Sequence, residues 1–169
     1  MWKTFREVAL TIYDVLIEEV DFAYLVPECD FASKIEREVV KSKNNVVLMD
    51  KVLHRGNWKE MEELVRSTVN EGIDVGPVIV ITGSFGWTTK FRSNVADYYA
   101  KYLFKIVRTA NELKIYVAAN GEEETDEDVC EVTEEECDFP DYEKGRIYCC
   151  QLDADLLLRM GLEVENLLF

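Results

Sequence analysis

No charged residue stands between Val75 and Thr89, and within that window Val78-Ile79-Val80-Ile81 is apolar at every position. A run without a polar face has to be buried on every side, so any fold of this chain must enclose it. It is entered through a corner, Glu71-Gly72-Ile73-Asp74-Val75-Gly76, where two glycines permit a sharp reversal and Asp74 can cap the next element. The stretch from Met61 to Gly86 therefore reads as an amphipathic segment turned back into the central element of a single core.

At 169 residues, 48% of them apolar and 31% charged, the chain can bury a core of its own without staples. A formal net charge of -15 argues against binding to a nucleic-acid backbone, which needs Lys and Arg to replace counterions. It equally disfavours an anionic membrane surface. Most of the excess acid sits in residues 122–144, which read as a solvated, disordered linker. The opening MWKTFREV holds no apolar run of signal length, and nothing approaches the roughly 20 apolar residues of a membrane span. A soluble intracellular protein is expected, with Cys29, Cys130, Cys137, Cys149 and Cys150 as free thiols. Their spacing lacks the C-x2-4-C pair from which zinc sites usually start, so no metal and no cofactor is expected.

Several segments carry helical signals. Phe5, Val8, Ala9, Ile12, Val15 and Leu16 share one face behind a Thr4/Glu7 capping box. Ser33 to Asn45 reads as a helix with only Ile35, Val39 and Val40 to bury, and Val46 to Met49 is either a helical turn or a strand. Asn57 opens a clearer helix, as a cap with Glu60 three residues on and a stripe of Trp58, Met61, Leu64, Val65 and Val69. Ser93-Asn94 would cap another, striped by Val95, Tyr98, Tyr99, Tyr102, Leu103, Ile106, Val107 and Ala110. Leu113 to Ala119 is a short amphipathic piece, and Gly145 to Cys150 has strand character. Asp153 to Phe169 reads as an amphipathic helix interrupted by Gly161.

Catalytic chemistry is hard to assemble. His54 is the one histidine and reads as a cap or surface residue at a helix end, which leaves no Ser-His-Asp triad and no His-based metal centre. The sharpest enzymatic reading takes Val78 to Ile81 as a buried parallel strand entering a phosphate loop at Thr82-Gly83-Ser84, as in a small α/β nucleotide-binding enzyme. Val46 to Met49, Lys114 to Ala118 and Arg146 to Cys150 could supply partner strands. The segment lacks both the G-x-G-x-x-G spacing and a completed G-x-x-x-x-G-K-[ST] loop.

The corner Glu71-Gly72-Ile73-Asp74-Val75-Gly76-Pro77-Val78 resembles the signature turn of the Bcl-2 family of apoptosis regulators, acid-Gly-hydrophobic-Asn-Trp-Gly-Arg-hydrophobic. Phe85-Gly86 echoes the Phe-Gly that closes that family's central helix. Tyr116-Val117-Ala118-Ala119-Asn120-Gly121 keeps the first half of its second motif, Trp-Ile-x-x-Asn-Gly-Gly-Trp. Pro77 departs from the pattern, standing where the family has the Arg that pairs with a ligand aspartate; Asp74 replaces Asn.

The resemblance implies an all-α, Bcl-2-like helical bundle with a central apolar hairpin of helices over 1–121, an acidic linker over 122–145 and an apolar C-terminal segment over 146–169. It implies a viral, anti-apoptotic protein, not an enzyme, that sequesters the BH3 helix of a pro-apoptotic protein such as Bim, Bak or Bax, with a narrow ligand range. Carried over by the corner, the groove would comprise Val46, Met49, Leu64, Thr68, Asp74, Gly76, Pro77, Val80 and Phe85. Arg92, Lys90 or Arg55 would take the place of the missing ligand-pairing Arg. No nucleic acid and no transmembrane anchor are implied, a homodimer is left open, and the location would be the host cytoplasm with recruitment to mitochondria through partners.

Overall fold

The computed structural model describes residues 20–72, 76–87, 99–121, 129–133, 137–139 and 141–163. Its chain order is β1 (Val20–Tyr24), α1 (Lys34–Val40), β2 (Val46–Asp50), α2 (Lys51–Arg55), α3 (Asn57–Gly72), β3 (Ile79–Trp87), β4 (Ala100–Arg108), β5 (Leu113–Ala119), β6 (Ile147–Cys150) and α4 (Ala154–Met160). Strands β1 and β2 form an antiparallel pair, and β3-β4-β5-β6 form a four-stranded antiparallel meander. The class is α/β, which overturns the all-α Bcl-2-like bundle. The expected N-terminal helix lies outside the described residues, as do Asp74, Lys90 and Arg92.

The decisive correction is at 100–108, expected as a helix and observed as β4. Tyr102, Leu103, Ile106 and Val107 do recur at helical spacing, but Phe104 falls off that stripe and is only 3% exposed. At period two the segment sorts cleanly: Leu103, Lys105 and Val107 face one way, Tyr102, Phe104 and Ile106 the other. Aromatic and β-branched residues buried on both faces favour a pleated strand. Ile79–Trp87 is also a strand, with Val80, Ser84 and Gly86 exposed on it, which corrects the expectation of burial on every side. The central hairpin is therefore of strands, not helices, and its partner strand is antiparallel where the nucleotide-binding reading expected parallel.

Each face of the meander carries its own apolar layer. One packs against the β1-β2 pair and helices α2 and α3, where Leu53, Trp58, Met61 and Val65 meet Leu103, Val107, Tyr116 and Ile147. The other packs against α4, where Leu156, Leu157 and Met160 meet Phe85, Phe104, Ile115 and Val117. Full burial of a side chain of this kind contributes about 1.5–3 kcal/mol, so the Trp58, Met61 and Val65 stripe anchors α3. That helix has the expected stripe and ends at Gly72 as expected. Asn57 is its first residue, and its Nδ2 donates to the carbonyls of Asp141 and Gly145 at 2.8 and 2.6 Å.

Helix α1 starts with a full capping box between Ser33 and Glu36, yet Ile35 and Val39 are 78% and 67% exposed rather than buried. Helix α4 is capped by Asp153, whose carboxylate accepts from the Leu156 N–H at 2.7 Å, and stopped by Gly161 in the left-handed region. Beyond the acidic tract, β6 pairs with β5, so the strands on either side of that tract belong to one sheet. Within the tract, Val129 and Phe139 are buried at 0% and 4% exposure, which corrects the expectation of a solvated linker for those described residues. Four of the five cysteines are paired, Cys130 with Cys150 and Cys137 with Cys149, leaving Cys29 free and exposed; free thiols throughout are thereby corrected. Among the described residues no helix is long and apolar enough to cross a membrane.

Gly83 pairs with Phe104 across β3 and β4, and a Cβ at Gly83 would stand 2.7 Å from the Phe104 ring. Because that ring is itself enclosed, Gly83→Ala is expected to lower stability by about 1–3 kcal/mol. A lower urea midpoint at unchanged slope is the outcome to look for; an unchanged midpoint would mean the ring yields freely.

Candidate functional site

Among the described residues, two of the places that bring polar chemistry together from distant parts of the chain are candidates for a site. The first is a cleft of about 470 Å³ between the β1-β2 pair, the ends of β3 and β4 that adjoin it, and the C-terminal end of α4. Its polar lining is Lys43, Asn44, Ser84 and Arg159; its apolar lining includes Leu25, Val46, Val47, Phe85 and Met160. In a chain with 34 acidic and 19 basic side chains, no carboxylate is among the described residues that line it.

Local sequence explains each position. Lys43 and Asn44 sit on the 3-10 turn Lys43–Asn45 that leads directly into β2. That turn is held by Asn45, whose Oδ1 accepts from the Val26 N–H at 2.9 Å while its Nδ2 donates to the carbonyls of Val26 and Val40 at 2.8 Å. Ser84 and Gly86 flank Phe85 on β3, so the alternation that buries Phe85 turns Ser84 outward. Arg159 donates from Nη1 to the Val129 carbonyl at 2.9 Å and holds its guanidinium 5.5 Å from the centre of the Phe85 ring. At the end of α4 the Gly161 N–H donates to Leu158 and the Leu162 N–H to Leu157, at 3.0 and 2.9 Å. These bonds satisfy carbonyls that would otherwise present negative ends to the cleft.

The second place is a buried cluster under α3. Thr82, Lys105, Tyr116 and Cys149 stand in register across the four strands. Lys105 is 3% exposed; its Nζ donates to the Leu25 carbonyl at 2.7 Å and lies 5.0 Å from the centre of the Trp58 ring. Trp58 Nε1 donates to Glu62 Oε1 at 3.0 Å, and Arg66 Nε donates to Asp30 Oδ1 at 2.6 Å. Burial pushes the Lys105 ammonium down to about 8, against the opposing pull of Glu62, and burial likewise raises Glu62. Burial and then the Asp138 carboxylate raise Tyr116 above the usual tyrosine range. A perturbed lysine in an open cleft would suggest catalysis. This one is sealed by Trp58 and the Leu25 carbonyl, so its role is in the fold.

The residues expected to form a peptide groove are scattered. Val46 and Phe85 do meet, at the cleft. Met49 is core at 0% exposure, Leu64 packs against the same core, and Thr68 donates to the Leu64 carbonyl at 3.1 Å. Pro77 is exposed, Val80 is 38% exposed on β3, and Gly76 lies near Ala110. With strands where a helical groove was needed, these residues do not form one. Arg55 is engaged elsewhere, donating twice to Asp21 at 3.0 and 3.1 Å, with His54 Nδ1 at 3.0 Å from the same carboxylate. Burial pushes Asp21 up, but hydrogen bonds from His54 and Arg55 outweigh it and leave the carboxyl below its ordinary value. Thr82-Gly83-Ser84 lies inside β3 rather than in a loop at a helix start, so it cradles no phosphate in the manner expected of a nucleotide site.

Compared with known proteins, the chain matches no family model, no curated protein and no solved structure. The cleft residues Lys43, Asn44, Ser84 and Arg159 carry no sequence signal, since nothing in their spacing relates them. Lys105 does have one: a lone lysine inside Tyr102-Leu103-Phe104-Lys105-Ile106-Val107 is conspicuous once the segment is taken as a strand.

Proposed function

We propose that this protein is a non-enzymatic binding protein that takes a small amphiphilic anion into the cleft between the β1-β2 pair and α4. The observation that carries this reading is the cleft's charge: Lys43 and Arg159 line it, and no described carboxylate does, in a chain of net charge -15. Its volume lies within the range of small-ligand sites. Val46, Val47 and Phe85 would hold an apolar body while Lys43, Asn44 and Ser84 meet a carboxylate, sulfonate or phosphate head. Ser84 has no histidine beside it, because His54 is held at Asp21, so hydrolysis by an activated serine is not supported. Two disulfides favour an oxidising compartment for the folded state.

The test uses an anionic fluorescent amphiphile, anilinonaphthalene sulfonate, beside its uncharged analogue phenylnaphthylamine. The sulfonate should saturate at one site per chain, and Lys43→Glu, on an exposed side chain, should weaken it by about tenfold, or 1.4 kcal/mol, without moving the melting temperature. Equal binding of the uncharged analogue, or an unchanged affinity in Lys43→Glu, would remove the proposal.

A further inference from the structure

Cys149 and Cys150 are adjacent on a strand, and adjacent strand residues point to opposite faces of the sheet. Cys149 accordingly packs with the α3-side core and Cys150 with the α4-side core. Both are bonded to the same short segment, with Cα–Cα separations of 5.5 Å for Cys137–Cys149 and 5.7 Å for Cys130–Cys150, each within the span a disulfide needs. Next to the Cys130 staple that segment runs along the outer edge of β6. The Gln151 N–H donates to the Glu131 carbonyl at 2.7 Å, the Thr133 N–H donates to the Cys149 carbonyl at 2.9 Å, and Val132 bridges Cys150. It plugs Val129 into one apolar layer and Phe139 into the other, the latter edge-on to Tyr116 with ring centres 5.6 Å apart. Residues 129–133 and 137–139 thus strap the sheet edge and are fastened once on each face.

The two fastenings differ in access. Cys130 is half-buried but its partner Cys150 is 4% exposed within the α4-side core, whereas Cys137 and Cys149 are both half-buried. A cavity of about 280 Å³ opens at that end of β5 and β6, lined by Lys114, Tyr116, Thr133, Asp138 and Cys149, with Cys150 reaching it from the other side of the strand. We propose that the Cys137–Cys149 disulfide is a thiol–disulfide exchange site, opened by a dithiol reductant entering this cavity, while Cys130–Cys150 stays closed. In the first step a reductant thiolate attacks one sulfur of the pair. A mixed disulfide forms, the Cys137–Cys149 bond breaks, and the departing sulfur takes a proton from water. The second reductant thiol then displaces the remaining protein sulfur as a thiol, so the pair gains two electrons and the reductant leaves as its own disulfide. Because Cys149 and Cys150 face opposite sides of β6, the freed Cys149 is not aligned to attack the second pair. Opening the one bond lets Asp138 and Phe139 leave Tyr116, while Cys130–Cys150 keeps the strap's other half on the sheet.

The native chain, treated without denaturant with dithiothreitol, quenched with iodoacetamide and mapped by mass spectrometry, provides the test. Carbamidomethyl groups should accumulate on Cys137 and Cys149 at least about tenfold faster than on Cys130 and Cys150. Simultaneous opening, earlier opening of Cys130–Cys150, or no opening short of global unfolding would overturn the proposal. In the Cys137→Ala/Cys149→Ala double variant the fast phase should vanish. If that variant does not fold, the order of labelling in the native chain decides alone.

Discussion

Replacing Asn120 with aspartate is expected to destabilise this protein by about 4 kcal/mol or more at neutral pH, among the largest effects available to a single near-isosteric change. Asn120 is 0% exposed and joins the two sheets. Its Oδ1 accepts from the Asp50 N–H at 2.8 Å, and its Nδ2 donates to the carbonyls of Leu48 on β2 and Ala100 on β4, both at 2.9 Å. Its own N–H donates to the Lys101 carbonyl at 3.0 Å. Aspartate would turn two donors facing carbonyls into acceptors, and would place a second buried carboxyl near Asp50, which caps α2 by accepting from Val52 and Leu53. An ionised group there would keep the Asp50 N–H as a donor but face the Leu48 and Ala100 carbonyls, so burial would drive it towards its neutral form. Asn120→Ala removes the same bonds without the charge and is expected to cost about 3 kcal/mol, since three buried backbone groups are orphaned. Urea titrations of both variants at pH 7 and pH 5 are the check. Asp should be worse than Ala at pH 7 and recover part of the gap at pH 5, while a loss below about 1 kcal/mol for either would refute the stitching role.

The second large effect is electrostatic. In the folded chain the Lys105 ammonium is pushed down to about 8 by burial, against an ordinary value of 10.5. Between those values the unfolded chain holds a proton that the folded chain has released, so stability rises with pH across the window. Below about 8 both states are protonated and the full burial penalty stands, on the order of 3 kcal/mol. Wild-type stability should therefore climb by about 2–3 kcal/mol relative to Lys105→Met between pH 7 and pH 10. Measuring the difference cancels the exposed Lys41 and Lys144, whose raised values act oppositely in both proteins. Tyr116 is raised too and lowers stability only above its ordinary range, hence the stop at pH 10. Parallel pH profiles for the two proteins would mean the lysine is solvated in a way its 3% exposure denies.

Legibility in the sequence varies by element. Asn57–Gly72 is readable because one face of it is polar, so Trp58, Met61 and Val65 mark the other face without ambiguity. Ser33 and Asp153 are readable as helix starts because a cap is a local hydrogen bond between near neighbours. Strand character at Ile147–Cys150 is visible because Ile147 and Tyr148 are of strand-favouring types. At 100–108 the periodic signal fails because both faces are buried, and at 79–81 because Ile79-Val80-Ile81 is apolar at every position although Val80 is exposed; a run that is apolar all round fits either period. That failure also lends the Bcl-2-like motifs their apparent order: Tyr116 to Ala119 is strand β5, and Asn120 is a joint between sheets rather than part of a helical signature.

Local sequence alone dictates that the chain carries a mostly apolar, uncharged run through Ile79–Trp87, carries α3 as an amphipathic helix, and concentrates its acid in one tract. All three depend on composition and on interactions between residues a few positions apart. Long-range packing selects which residues meet across wide separations: Lys43 with Arg159 at the cleft, Lys105 under Trp58, and Asn120 between β2 and β4. It likewise sets Cys149 and Cys150, side by side in the chain, into bonds on opposite faces of one strand. Such contacts arise from sheet pairing and layer packing, where each residue's partner is chosen by the whole register and not by its neighbours in sequence.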